Sequence, residues 1–116
     1  MNPAEVAALL TYASAFDGRR VSAEVATAWA EALDTATTLA DARQAITAHY
    51  AETTTWVMPA HVNVRCREYR RIRAENEAQE LDRRALADAR AKAGMAEETR
   101  RKLSEILGKI GKNNGE

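Results

Sequence analysis

Two histidines, His49 and His61, one cysteine, Cys66, and three serines, Ser14, Ser22 and Ser104, are the side chains from which a nucleophile, a proton shuttle or a soft-metal site would have to be built. Their spacing does not build one. No serine sits in a nucleophile-elbow pattern, and Ser22 stands where a helix cap is wanted. His61 and Cys66 are turned about 140° from one another on a helix, so they do not share a face for a metal ion. There is no glycine-rich phosphate loop and no Walker lysine. The expectation is a non-enzymatic chain without cofactor or metal. In it His49 and His61 are half-buried polar tips and Cys66 is a small core residue.

Two other groupings carry more information. Arg65, Arg67, Arg70, Arg71 and Arg73 crowd into nine positions, with only Glu68 diluting their charge. On a helical wheel Arg67, Arg70 and Arg71 fall opposite Val62, Cys66, Tyr69 and Ile72, and so project into solvent. Such a row could contact phosphates. It could equally be a solvated face whose arginines pair with acidic residues of the first half, in the same molecule or in a second copy. No aromatics interleave the arginines on that face, so the row is not a stacking platform for single strands. The second grouping is Met95, Thr99, Leu103, Ile106 and Ile110, with Leu107 beside them. Their spacings of four, four, three and four make one apolar helical stripe. An amphipathic helix on a charged tether has the form of a segment that docks in a partner's groove. It lacks aromatics and has a mixed-charge outer face, which argues against membrane binding.

The elements that must position these groups are helices. Among 116 residues there are 5 glycines and 2 prolines, 46% are hydrophobic, and alanine is abundant, all of which favours helix. The total charge is zero, but it is divided: residues 1–58 carry a net −4 and residues 59–116 a net +4. A single cysteine excludes an intrachain disulfide. No window is apolar enough to span a bilayer, and no secretory leader pattern opens the chain. A reducing, cytoplasmic setting is expected.

Asn2, Pro3 and Glu5 announce a first helix with a capping box. Val6, Leu9, Leu10, Ala13 and Phe16 form its apolar face, and Asp17-Gly18 stops it. Ser22 caps a second helix with Val25, Trp29 and Leu33 on one face. A third carries Leu39, Ala42, Ile46, His49 and Tyr50. Pro59 opens a fourth, after a residue pushed out of the α region. The fold class read from this is all-α: a small bundle of about four helices over residues 1–73. A charged helical extension or linker follows over 74–93. Gly94 then separates off an amphipathic partner-binding helix and flexible tail over 94–116.

Ala45-Ile46-Thr47-Ala48-His49-Tyr50 followed by Trp56-Val57-Met58-Pro59-Ala60-His61-Val62 resembles a pattern of small bacteriophage replication proteins, the phage helicase loader and inhibitor family. The matching positions are Trp56, Pro59 and Val62, and the resemblance covers about residues 4–73. The arginine- and alanine-rich composition suits an actinobacterial phage or prophage. The resemblance implies a compact helical N-terminal part and a C-terminal part that engages the hexameric replicative helicase of host or phage. DNA or an origin-binding protein would be further partners. The expected function is a non-enzymatic DNA-replication adaptor, with Met95, Leu103, Ile106, Leu107 and Ile110 as the partner-binding residues. The alternative is a small helix-turn-helix-like DNA-binding regulator that uses Arg65, Arg67, Arg70, Arg71 and Arg73.

Overall fold

A computed structural model of the chain describes residues 1–113, and the side chains of residues 1–109. The described residues form four α-helices: α1 (Pro3–Asp17), α2 (Ala23–Ala32), α3 (Leu39–Glu52) and α4 (Pro59–Asn113). The chain divides into two compact units, Met1–Ala74 and Glu75–Glu116.

In the first unit the starts of α1, α2 and α3 are each fixed by a capping side chain. The Asn2 carboxamide oxygen accepts from the Glu5 N–H at 2.8 Å, and the Glu5 carboxylate accepts from the Asn2 N–H, completing a capping box. Ser22 accepts from the Val25 N–H and Thr38 from the Asp41 N–H. Each such cap supplies about 1 kcal/mol. Gly18, at φ 70°, ends α1 in the left-handed region that a side chain would strain.

α1 packs against both α2 and α3. The core joins Val6, Leu9, Leu10 and Ala13 of α1 to Ala26, Trp29 and Leu33, to Ala42, Ala45 and Ile46 of α3, and to Val57, Val62 and Cys66. Aliphatic and alanine side chains thus fill most of it, as the composition requires. Three expected core residues lie outside: Phe16, Val25 and Ile72 are exposed at the ends of their apolar faces. Two positions go the other way. Val57, in the segment before Pro59, is fully buried, and Asn63 is buried at the end of α2. The Asn63 amide donates to the Ala32 carbonyl at 3.0 Å and its oxygen accepts from the Asp34 N–H at 2.9 Å. A side chain of α4 thereby satisfies backbone groups that α2 leaves open.

In the second unit the expected break at Gly94 is absent. α4 runs through Gly94 and Gly108, so residues 94–113 are not a separate helix. One glycine costs a helix only about 1 kcal/mol relative to alanine, and alanines at 91, 93 and 96 surround it. Ion pairs Arg84–Glu80, Arg101–Glu97 and Lys102–Glu98 lie one turn apart along its surface. Every residue from Leu81 to Lys109 is exposed. The expected tail at Asn114, Gly115 and Glu116 lies outside the described residues.

Candidate functional site

The arginine row is not a free cationic face. Arg67 grips the Asp34 carboxylate with two bonds, at 2.7 and 2.9 Å. Arg70 reaches the same carboxylate at 3.3 Å and donates to Thr37. Arg73 grips Asp41 with two bonds, at 2.9 and 2.6 Å, and Arg65 pairs with Glu52 at 2.8 Å. Arg71 pairs with Glu68 on its own helix. Arg70, expected to project into solvent, instead lies beside the core face with its side chain 27% exposed against Asp34 and Thr37, and the wheel cannot show that Asp34 and Asp41 stand beside α4. Arg67 is the main cause that holds the Asp34 carboxyl below its ordinary value, and Arg73 does the same for Asp41 against the opposing effect of burial. Phosphates approaching this row would have to compete with carboxylates already in place.

The stripe residues Met95, Leu103, Ile106 and Leu107 are all more than half exposed. Among the described residues of their unit no second element covers them. The Ile110 side chain lies outside the described residues. Thr99 donates its hydroxyl back to the Met95 carbonyl at 2.9 Å, which turns the polar end of that side chain onto the helix backbone.

Of the three positions that carry the family pattern, Pro59 is the first residue of α4, Val62 is buried in the core, and Trp56 is half-exposed. Trp56 leads to a cluster that the sequence reading missed. Arg19 and Asp17 form an ion pair at 2.7 Å, with side chains only 6% and 2% exposed. The Arg19 guanidinium lies against Trp29 and Trp56, at 5.3 and 5.0 Å from the ring centroids. It donates to the Val57 carbonyl at 2.8 Å. The Tyr50 hydroxyl donates to Asp17 and accepts from the Val57 N–H at 2.9 Å. Burial pushes the Asp17 carboxyl up, but the hydrogen bonds from Arg19 and Tyr50 outweigh it and leave the group below its ordinary value. Tyr50 in turn stacks on Phe16 at 5.2 Å, and Phe16 meets Tyr12 edge to face at 5.4 Å. The available signal was an arginine placed directly after an Asp-Gly helix stop, in a half with only three cations.

The histidines and the cysteine have structural neighbours. The His49 ring nitrogen Nε2 bonds to the Thr55 carbonyl at 2.6 Å, and His61 Nδ1 accepts from the Met58 N–H at 2.9 Å. Both rings therefore hold the loop that precedes α4. Cys66 is buried, and burial is the main cause that pushes its thiol up, away from thiolate chemistry. Among the described residues no three His, Cys, Asp or Glu side chains converge as a metal site. No helix is long and apolar enough to cross a membrane, among the described residues.

No protein-family model, curated protein or solved structure matches the chain.

Proposed function

We propose that this chain is a non-enzymatic adaptor of phage DNA replication that binds a hexameric replicative helicase through the stripe Met95, Leu103, Ile106, Leu107 and Ile110. The observation that supports docking is the exposure of Met95, Leu103, Ile106 and Leu107 on α4, where no other element among the described residues of that unit buries them. Burying four such side chains yields about 6–10 kcal/mol gross. A stripe already held on a helix loses less ordering entropy on docking than a coil would. The choice of helicase rests on the resemblance at Trp56, Pro59 and Val62. Nucleotide chemistry would belong to the helicase, and the adaptor would work by holding and releasing it.

The test is light-scattering-coupled gel filtration of the full chain with a bacterial replicative helicase and ATP. A complex is expected, and it should be lost in the double variant Leu103→Asp, Ile106→Asp and on truncation after Ala93. A complex that survives both changes removes the stripe from the reading. No complex with the helicase of an appropriate host removes the helicase.

A further inference from the structure

The aromatic side chains are few, yet most of them meet on one surface of the first unit. Phe16, Tyr50 and Trp56 line a cleft of about 420 Å³, together with Thr53, Thr54 and Asp17. The rings of Phe16 and Tyr50 stack on one another, nearly parallel at 20°, so each leaves its other face and its edges for a ligand. Arg19 covers one side of Trp56, and that ring is still 52% exposed. Phe16, on the same cleft, is 48% exposed, while Val57 next to Trp56 is fully buried, so the rings form an open apolar patch that a stacking ligand would cover.

The cleft carries no uncompensated negative charge. Its only carboxylate, Asp17, is neutralised by Arg19 and bonded by Tyr50. The cations that remain in this half are Arg43, whose guanidinium lies 4.5 Å over Tyr12 next to Phe16, and the exposed Arg20, one residue beyond Arg19. Neither forms an ion pair among the described residues, in contrast to the arginines of α4. The Thr53 hydroxyl is bonded to Thr55, which leaves the Thr54 hydroxyl to meet the polar edge of a planar ring. Flat aromatic faces, an edge hydroxyl and two unspent arginines match the chemistry of an unpaired nucleobase with its flanking phosphates. A proline-rich peptide would also use the rings, but it leaves the arginines without a role.

We propose that the cleft between Phe16, Tyr50 and Trp56 is a stacking site for single-stranded DNA. The choice of DNA over RNA rests on the replication reading above; the stacking itself does not. Duplex DNA keeps its bases paired and inaccessible to the cleft. The site is small, so it takes one or two bases, and its phosphate contacts are limited to Arg20 and Arg43.

The experiment is fluorescence anisotropy of a labelled fifteen-nucleotide oligothymidylate with the full chain at low salt. The same measurement is made with the uridine oligoribonucleotide, a duplex of equal length and a labelled proline-rich peptide. No helicase is present, so this test and that of the helicase reading fail separately. Oligothymidylate is expected to bind best and to quench the fluorescence of Trp56. Losing one stacked base is worth about five- to hundredfold in affinity, so Trp56→Ala and Phe16→Ala should each weaken binding by that order, while Trp56→Phe retains most of it. Circular dichroism checks that the variants are folded. Two phosphate contacts predict a shallow salt slope of about −1.4 in log–log form, at about 0.7 per contact on a single strand. No binding, preference for the duplex, the peptide or the ribonucleotide, or binding that is indifferent to Trp56→Ala and Phe16→Ala overturns the proposal. A slope near −3.5, lost with Arg67→Ala and Arg70→Ala, also overturns it, because α4 would then hold the strand.

Discussion

Replacing Tyr50 by phenylalanine removes one oxygen atom and leaves the ring, so its effect isolates the hydrogen bonds of the Arg19 cluster from its packing. The hydroxyl accepts from the Val57 N–H at 2.9 Å and donates to Asp17. Val57 is fully buried, so its N–H loses its only partner with no water to replace it. A buried donor left open costs about 1–3 kcal/mol, and the lost bond to a charged carboxylate adds about 1 kcal/mol or more. Asp17 keeps its bonds from Arg19, which limits the damage on that side. No cavity term of consequence arises, because the ring stays in its stack on Phe16. The expected loss is about 2–3 kcal/mol. For a unit of the size of Met1–Ala74 that loss corresponds to a fall in Tm of roughly 8–24 °C. Urea unfolding followed by tryptophan fluorescence measures it, because Trp29 and Trp56 both flank Arg19. The urea dependence of the free energy should keep its slope, since the surface exposed on unfolding is unchanged. A loss below about 0.5 kcal/mol would show that the Tyr50 hydroxyl is not what holds the loop, and the argument from buried polar satisfaction would fail here.

Acid should weaken the first unit in a defined window. Asp17, Asp34 and Asp41 all have folded values below the ordinary carboxylate value of about 3.9, so the unfolded chain takes up protons first. Stability should be flat from pH 7 to about 5 and fall as pH drops through about 4 and below; urea midpoints across that range check it, and a midpoint that rises toward pH 3 contradicts it. Asn63→Ala should cost about 1–3 kcal/mol, because it strands the Ala32 carbonyl and the Asp34 N–H together; equilibrium unfolding reads this, with Asn63→Asp restoring only the bond from Asp34. Gly94→Ala meets nothing within 4 Å and should raise the helicity of the second unit, with a gain of about 1 kcal/mol; circular dichroism that shows no gain would place a bend or a break at residue 94.

What the sequence made legible was local. The caps at Asn2 and Ser22 and the stop at Gly18 depend on residues within four positions and can be read from residue type; the Thr38 cap is equally local but lies in a stretch that reads only as a break. The four helices and their apolar faces follow from spacing, and so does the stripe of α4. Gly94 was misread because a breaker was weighed by its type rather than against the alanines and ion pairs around it. The partnerships that cross the fold were not legible. Asn63 reaches Ala32, Arg67 reaches Asp34 and Arg73 reaches Asp41, each across about thirty residues of sequence. Helical periodicity says which way such a side chain points and nothing about what stands there. For the same reason the Arg19 cluster, assembled from α1, α2, α3 and the loop before α4, left no pattern in any one segment.

The division of charge along the chain takes a different meaning once the partnerships are known. The acidic first half and the basic second half look like two poles available to outside partners. In the first unit Asp34, Asp41 and Glu52 are matched by Arg67, Arg70, Arg73 and Arg65, so most of the contrast is spent inside the fold. The carboxylates of these pairs are partly buried, Asp34 at 25% and Asp41 at 7% side-chain exposure, so these arginines of α4 are engaged by α3 and the turn before it and are removed from competition for phosphate. The charges left unspent are informative because they are few. Glu24 and Glu31 lie on the outer face of α2, Arg43 lies over Tyr12, the ring that meets Phe16, and Arg20 is exposed one residue beyond Arg19. A nucleic acid searching this unit would therefore be repelled from α2 and drawn toward Phe16 and Trp56, away from the segment with the greatest density of arginine.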